Sequence, residues 1–312
     1  MACVSARLTV TCLVAALALG GVGCLRSIML DETLAAARRA SSSANTLHDY
    51  EAARALAYAG VGQLEGMRSL RPNNPDGLLL LTKAWTGVGY AFALDDHERA
   101  LERGDEVDAE YHLLRARAAF ARAKFYGLEL LTLRAQGFAA AGVKRDRLRA
   151  WLRNNYADRA LAEELLWLGT AWVSYVSVDT ENPDTISRLW VGIELVEHVV
   201  TLDETIEYGT AHAILGAFHA RNAMGELDEA KQHFDRALTI GRGRYLPTQL
   251  LVATRYHCSK HDADSYARGL RDIVSAGDPL PEARLANVIA MRRARRYLDH
   301  PSFQEECGFS VQ

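Results

Sequence analysis

The chain has 312 residues, with 36 Lys and Arg against 39 Asp and Glu, a formal charge of −3. Apolar residues make up 49% and charged residues 24%, a balance that excludes disorder, a collagen-like repeat and a polytopic membrane protein. It also argues against a nucleic-acid binder, which would carry a basic excess.

The first residues read as an export signal. Met1–Arg7 carries one positive charge and Leu8–Leu19 is an apolar run of signal-peptide length, short for a spanning helix. Gly20, Gly21, Val22 and Gly23 then lead into Cys24. Small residues followed at once by Cys resemble the lipobox of bacterial lipoproteins, which implies that Cys24 is the lipidated first residue of the mature chain. Position −3 is Gly21 where that pattern usually has Leu. A cleaved secretory signal and an uncleaved anchor are the alternatives; all three place the body outside the cytoplasm. The expected organisation is a signal peptide over 1–23, a lipidated tether over 24–45 and a single helical domain over 46–312. Outside the signal and Cys24, only Cys258 and Cys307 remain. Two buried free thiols are expected rather than one disulfide.

The body reads as helices throughout. None of the 7 prolines lies between Pro75 and Pro183, and that stretch is rich in Ala, Leu, Arg and Glu. Asp31–Ala40 predicts a short helix broken by Ser41, Ser42 and Ser43. Asp49–Leu70 is a long periodic segment closed by Arg71-Pro72-Asn73-Asn74-Pro75. Pro75–Leu94 is an apolar helix whose Gly87 and Gly89 suit close packing. A charged segment, Asp95–Glu110, is interrupted at Gly104. Val107–Leu133 predicts a third long helix with Leu113, Leu114, Ala118, Phe125 and Leu128 on its apolar face. Arg145–Arg153 is a short basic helix. Ala160–Val178 is a helix although Val173–Val178 alternates like a strand, since no partner strand pattern exists elsewhere. Asp184–Leu202, Gly209–Met224, Leu227–Ile240, Leu246–Ser259, Asp262–Ser275 and Pro281–Tyr297 complete the series. Helix, tight corner, helix at a pair spacing of roughly 34–45 residues predicts an all-α fold, a tetratricopeptide-like α-solenoid of packed hairpins.

One pair carries a repeat signature. Gly225 permits the turn, Ala230 and Ala237 let two helices approach, and Phe234 fills the groove between them. The pattern looks like the second helix of a tetratricopeptide repeat.

Sites for chemistry are scarce. The sequence has no GxxxxGK[ST], GxSxG, HExxH or CxxC, so no catalytic residue, metal or cofactor is expected. His257, Cys258 and His261 lack the further ligand a metal needs. His212 and His219, seven apart on one helix face, read as packing. Arg292, Arg293, Arg295 and Arg296 read as a solvated face near a helix C-terminus, with an acidic partner surface as the alternative; Arg115, Arg117, Arg122 and Lys124 read the same way. The remaining hint is aromatic: Trp167, Trp172, Tyr175 and Trp190 concentrate mid-chain, with Trp85 and Tyr90 earlier. Such side chains either line a ligand passage or form inter-repeat core.

From about Cys24 to Cys307 the chain resembles the TatT component family associated with TRAP transporters, the tripartite ATP-independent periplasmic uptake systems. The residues that carry this are Arg71-Pro72-Asn73-Asn74-Pro75, Glu164-Leu165-Leu166-Trp167, Leu202-Asp203-Glu204 with Tyr208-Gly209, Gly225 through Ala237, and Leu285-Ala286-Asn287-Val288-Ile289-Ala290 with Arg293-Ala294. The connection Met224-Gly225-Glu226 is shorter than the Gly-rich one the family often has. The resemblance implies a tetratricopeptide-like lipoprotein that faces the periplasm and associates with the transporter's substrate-binding protein. It also implies an internal hydrophobic passage for an apolar ligand. Leu25 follows Cys24 where inner-membrane lipoproteins often carry Asp, which points to the outer membrane. A homo-oligomer, a trimer, is carried as an expectation. The alternative function is a generic envelope scaffold for another protein.

Overall fold

The structure, a computed structural model, describes residues 27–221, 226–300, 302–305 and 307–309. Cys24 and Gly225 lie outside the described residues. Among those described, every regular element is helical. Helix α1 spans 27–40 and runs into a 3-10 turn, Ser41–Thr46. Then come α2 (Tyr50–Leu70), α3 (Pro75–Val88), a π-helical turn (Gly89–Ala93), α4 (Leu94–Glu102), α5 (Glu106–Arg134) and α6 (Phe138–Ala141). These lead to α7 (Arg145–Asn155), α8 (Ala162–Ser177), α9 (Pro183–Ile186), α10 (Leu189–Asp203) and α11 (Thr210–His219). The series ends with α12 (Leu227–Ile240), α13 (Leu246–Leu251) with a second π-helical turn (Val252–His257), α14 (Ala263–Ser275), α15 (Arg284–Asp299) and α16 (Ser302–Glu305).

Short polar side chains start these helices. Asp49 accepts from the Ala52 N–H at 2.9 Å, Asn74 from Gly77 at 2.8 Å, Asp105 from Asp108 at 3.0 Å and Asp262 from Ser265 at 3.0 Å, each satisfying an orphan donor of the first turn. Pro75 and Pro183 occupy first-turn positions, where the missing N–H costs nothing. The alternating segment Val173–Val178 belongs to α8 up to Ser177.

Helices adjacent in the chain pack together, notably α2 on α3, α11 on α12 and α14 on α15, and α3 packs on α5 and α8 on α10 across one intervening α-helix. The continuous helix Pro75–Glu102 is long and apolar enough to cross a membrane, but two thirds of its most apolar window is buried inside the protein. It is a core helix. Its π-helical turn seats Gly89 where a Cβ would stand 2.7 Å from Phe120 Cε1. Gly87 has no such neighbour, so only one of the paired glycines serves close packing.

Three sequence expectations need correction. On α5 the face named from large apolar residues is only partly right: Leu113 and Leu128 pack against the core, but Leu114 and Phe125 are 48% and 49% exposed, and Ala118 is exposed too. The buried stripe is Ala109, Ala116, Ala119, Phe120, Ala123, Tyr126, Gly127 and Leu130. The cause is close approach, since a Cβ at Gly127 would lie 2.8 Å from Leu168 of α8; small residues mark a helix gripped on two sides. Second, Cys258 and Cys307 are joined by a disulfide with Cα atoms 4.9 Å apart, a separation well within bonding geometry. Third, Arg293 and Arg296 are not on a solvated face; they are 3% and 6% exposed.

Those arginines close the array. Arg296 bonds Asp95 at 2.7 Å and Glu98 at 2.5 Å, and Arg292 reaches Asp95 at 3.2 Å. Arg293 Nη2 donates to the Tyr90 carbonyl at 3.1 Å, and Tyr297 donates to Glu98 at 2.8 Å. Helix α15 also packs against α2 and the Ser41–Thr46 turn. The last long helix therefore returns to the beginning of the body. Burial opposes the charge on Asp95, but Arg296 and Arg292 outweigh it and hold its carboxyl below the usual range.

Helix α1 is docked as well. Leu34 is 1% exposed, Asp31 pairs with Arg71 and accepts from Asn74 Nδ2 at 2.8 Å, and Arg38 bridges Asp76 at 2.7 Å and Glu163 at 3.2 Å.

Candidate functional site

The six aromatic residues singled out from the sequence fall into three adjoining groups. Trp85 and Trp167 pack against Leu78, Leu79, Leu81, Tyr126 and Leu130. Tyr90 and Tyr175 pack against Phe120, Ala93 and Val178. Trp172 and Trp190 join the cluster of α7, α8 and α10. Trp172 is a core residue, 7% exposed, its Nε1–H donated to the Arg188 carbonyl at 3.0 Å and its ring 6.4 Å from Phe138. Trp151, which the sequence reading left out, completes that cluster, 5.5 Å from Phe138 and 5.8 Å from Tyr156. The other five rings are only partly buried.

Each of the six rings faces a cation. Lys83 Nζ is 5.2 Å from the Trp167 centroid, Arg122 5.6 Å from Trp85 and Arg293 4.2 Å from Tyr90. Lys124 stands 5.0 Å from Trp172 and 4.0 Å from Tyr175, and Arg188 5.6 Å from Trp190. A cation over an aromatic face is stabilised by the ring quadrupole, more so when partly desolvated. Burial of Lys124 pushes its ammonium below the usual lysine range. Lys124 is thus half-buried rather than on the solvated face its sequence pattern suggested, while Arg122 stays half exposed over its ring. No local signal reveals this, because the rings they cover belong to other helices.

Carboxylates steer the cations. Glu65 accepts from Arg122 at 2.6 Å, Trp85 Nε1 at 2.8 Å and Tyr126 at 2.6 Å. Burial works against its charged form, yet these three donors hold its carboxyl at about 2. Lys83 is bracketed by Glu163 at 2.5 Å and Glu207 at 3.7 Å. Glu207 sits in a strained turn: Glu207, Tyr208 and Gly209 have φ of 47°, 59° and 80° in succession. Left-handed backbone costs a non-glycine residue about 1–2 kcal/mol. Here Tyr208 is held by stacking on Tyr245 at 4.9 Å.

The motifs that carry the family resemblance are ties between helices. Glu164, 6% exposed, receives Arg134 at 2.7 and 3.2 Å. Asp203 receives Arg159, and Glu204 receives Arg236 and lies 3.1 Å from His212 Nε2. Asn287, 1% exposed, accepts from Leu246 N at 2.9 Å and donates to the Arg244 carbonyl at 3.1 Å. On the α11–α12 hairpin, Ala230, Phe234 and Ala237 are buried, and a Cβ at Gly216 would strike Phe234 at 2.9 Å. His212 and His219 meet His233, a residue the sequence did not flag: His212 Nδ1 is 2.8 Å from His233 Nδ1, and the His219 ring stacks on His233 at 5.6 Å. Burial, then His212 and His219, lowers His233 to about 4.

Among the described residues no three His, Cys, Asp or Glu side chains converge on a metal position. Cys258 is committed to its disulfide, and His261 Nδ1 lies 2.8 Å from the Cys307 carbonyl. The described residues form an all-helical body closed on itself by ion pairs, with six aromatic rings set against cations. Residues 47–303 match the model of the TRAP transporter T-component family, and the chain belongs to that family. It is an accessory component of a TRAP transporter, associated with the cell envelope. A search of curated proteins finds no match.

Proposed function

We propose that the mature chain is a lipoprotein that faces the periplasm, docks the substrate-binding protein of a TRAP transporter and offers that system a ligand passage along its aromatic rings. The family match over 47–303, which takes in the body from before α2 to α16, carries this reading. A cleft of about 350 Å³ between α4 and α15 supports the docking part. Four arginines, Arg99, Arg292, Arg295 and Arg296, line it with two carboxylates, Glu102 and Asp299; Glu102 is engaged by Arg296 and His300, whereas Arg99 and Arg295 have no ion-pair partner among the described residues. That suits an acidic partner face. The stripe that α5 leaves exposed, Val107, Tyr111, Leu114, Ala118 and Phe125, recurs at coiled-coil spacing and is where a homotrimer would close.

The decisive experiment is capture of the substrate-binding protein from envelope extract, identified by mass spectrometry. No binding at tens of micromolar, a generous range for a transient partner, would leave the scaffold reading in its place. Replacing both Arg99 and Arg295 with Glu should abolish capture and leave circular dichroism unchanged. For the passage, Trp167→Ala and Trp190→Ala are sharper than Trp172→Ala, whose side chain is core: solute uptake should fall while the helical signal stays. Cys24→Ser should release the protein into soluble periplasm; retention at the membrane would identify an uncleaved anchor.

A further inference from the structure

A cavity of about 560 Å³ lies where α12, α13 and α14 meet. That is within the range of small-molecule sites, about 300–1,000 Å³. The π-helical turn Val252–His257 supplies one wall, and such turns widen a helix where side chains must be re-aimed. Leu238, Val252, Ala253 and Gly269 give the cavity an apolar lining. Gly269 leaves space, since a Cβ there would meet only Ala253, at 3.4 Å.

Besides the neutral Thr239 and Gln249, the lining carries one fixed charge, Arg242, and no carboxylate. Arg242 lines the cavity from an exposed turn, with φ of 52°, beside Gly243 at 62°. A left-handed turn position ordinarily takes Gly or Asn; an arginine there brings a guanidinium to the cavity that has no ion-pair partner among the described residues. His257 also lines the cavity, with a buried Nδ1 that has no hydrogen-bond partner. Lys260 and Arg268 act electrostatically on that ring. The nearest carboxylate to it, Asp262 at 3.8 Å, is engaged in capping α14.

We propose that this cavity binds a small organic acid: an apolar body against Leu238, Val252, Ala253 and Gly269, and a carboxylate paired with Arg242. An uncharged ligand of the same shape would leave the guanidinium unmatched, and a bare anion would leave the apolar lining wet. The site is separate from the six aromatic rings and from the α4–α15 cleft, so it stands or falls apart from receptor docking.

Isothermal titration calorimetry on the full purified chain tests this with three probes: 4-phenylbutyrate, the neutral 4-phenylbutanol, and acetate. Phenylbutyrate should bind, with both controls weaker by at least about tenfold, the loss of one charge-assisted pair or of the apolar contact. Arg242→Asn keeps a residue suited to the left-handed turn and should weaken phenylbutyrate by at least about tenfold. Gly269→Leu adds a better helix former, fills the cavity and should abolish the heat. Circular dichroism should match wild type in both variants, and neither melting temperature should fall. Equal binding of phenylbutyrate and phenylbutanol, full binding by the Gly269→Leu protein, or no heat with phenylbutyrate at about 5 mM would each overturn the assignment.

Discussion

Between α11 and α12, Ala230, Phe234 and Ala237 are at most 2% exposed, and Ala230 and Phe234 pack with Ala217, Ala220 and Leu227. Between α4 and α15, the residues at comparable depth are Asp95, Arg293 and Arg296, at 1%, 3% and 6%. The first contact joins neighbours in the chain by small side chains that let backbones approach. The second joins segments about two hundred residues apart through fixed charges. An apolar seam tolerates small errors of register, whereas a buried ion pair is favourable only when every partner arrives. The hairpin can therefore form from local sequence, while the closure depends on the whole array being assembled.

The largest effect should come from breaking the charged contact one-sidedly. Arg296→Met leaves Asp95 and Glu98 facing each other without their main partner and should cost about 3–5 kcal/mol, read by urea unfolding. A cost near zero would mean the closure is solvated. Next is the covalent tie at the same end. Cys258→Ser with Cys307→Ser removes a 49-residue cross-link and should lose about 2–4 kcal/mol. The same loss should appear on reduction of wild type, and no shift on reduction would show that the thiols are free.

The apolar seam should respond to volume instead. Ala230→Leu has no room at 0% exposure and should cost about 1–3 kcal/mol by overpacking; an unchanged melting temperature would remove the close approach of α11 and α12. The smallest effect is one of pH. His233 falls to about 4 from an ordinary 6.5, chiefly through burial, then through His212 and His219. The folded state thus prefers the neutral ring. Its contribution is complete above about pH 6.5 and is lost as pH falls toward 4. His233→Gln should flatten the decline in melting temperature between about pH 6.5 and 5, above the range where carboxylates titrate. An identical slope in both proteins would detach that hairpin from the acid response.

Helix by helix, the sequence was a good guide wherever the deciding residues lie within one turn of one another. Asn74 followed by Pro75, Asn182 followed by Pro183, and Leu227–Ile240 were all legible, because caps and periodicity are local. It misled on α5, where Leu114 and Phe125 are large and apolar yet exposed, and the true contact runs through alanines and Gly127. Burial there is set by how closely α3 and α8 approach, which no residue of α5 encodes alone. The basic run of α15 misled for the same reason, since Asp95 and Glu98 lie far away in sequence.

By itself, then, the sequence determined an all-helical chain, the places where its helices start and stop, and the family to which it belongs, since these follow from spacings within a few residues or from motifs in fixed order. Tertiary structure alone decided that Cys258 meets Cys307, that the six singled-out aromatic rings each receive a cation, that α15 returns to α4, and that Arg242 and His257 share a cavity. Each of those pairs groups whose distance depends on the accumulated geometry of every helix between them, and a change in one crossing angle would separate them while leaving every local pattern intact.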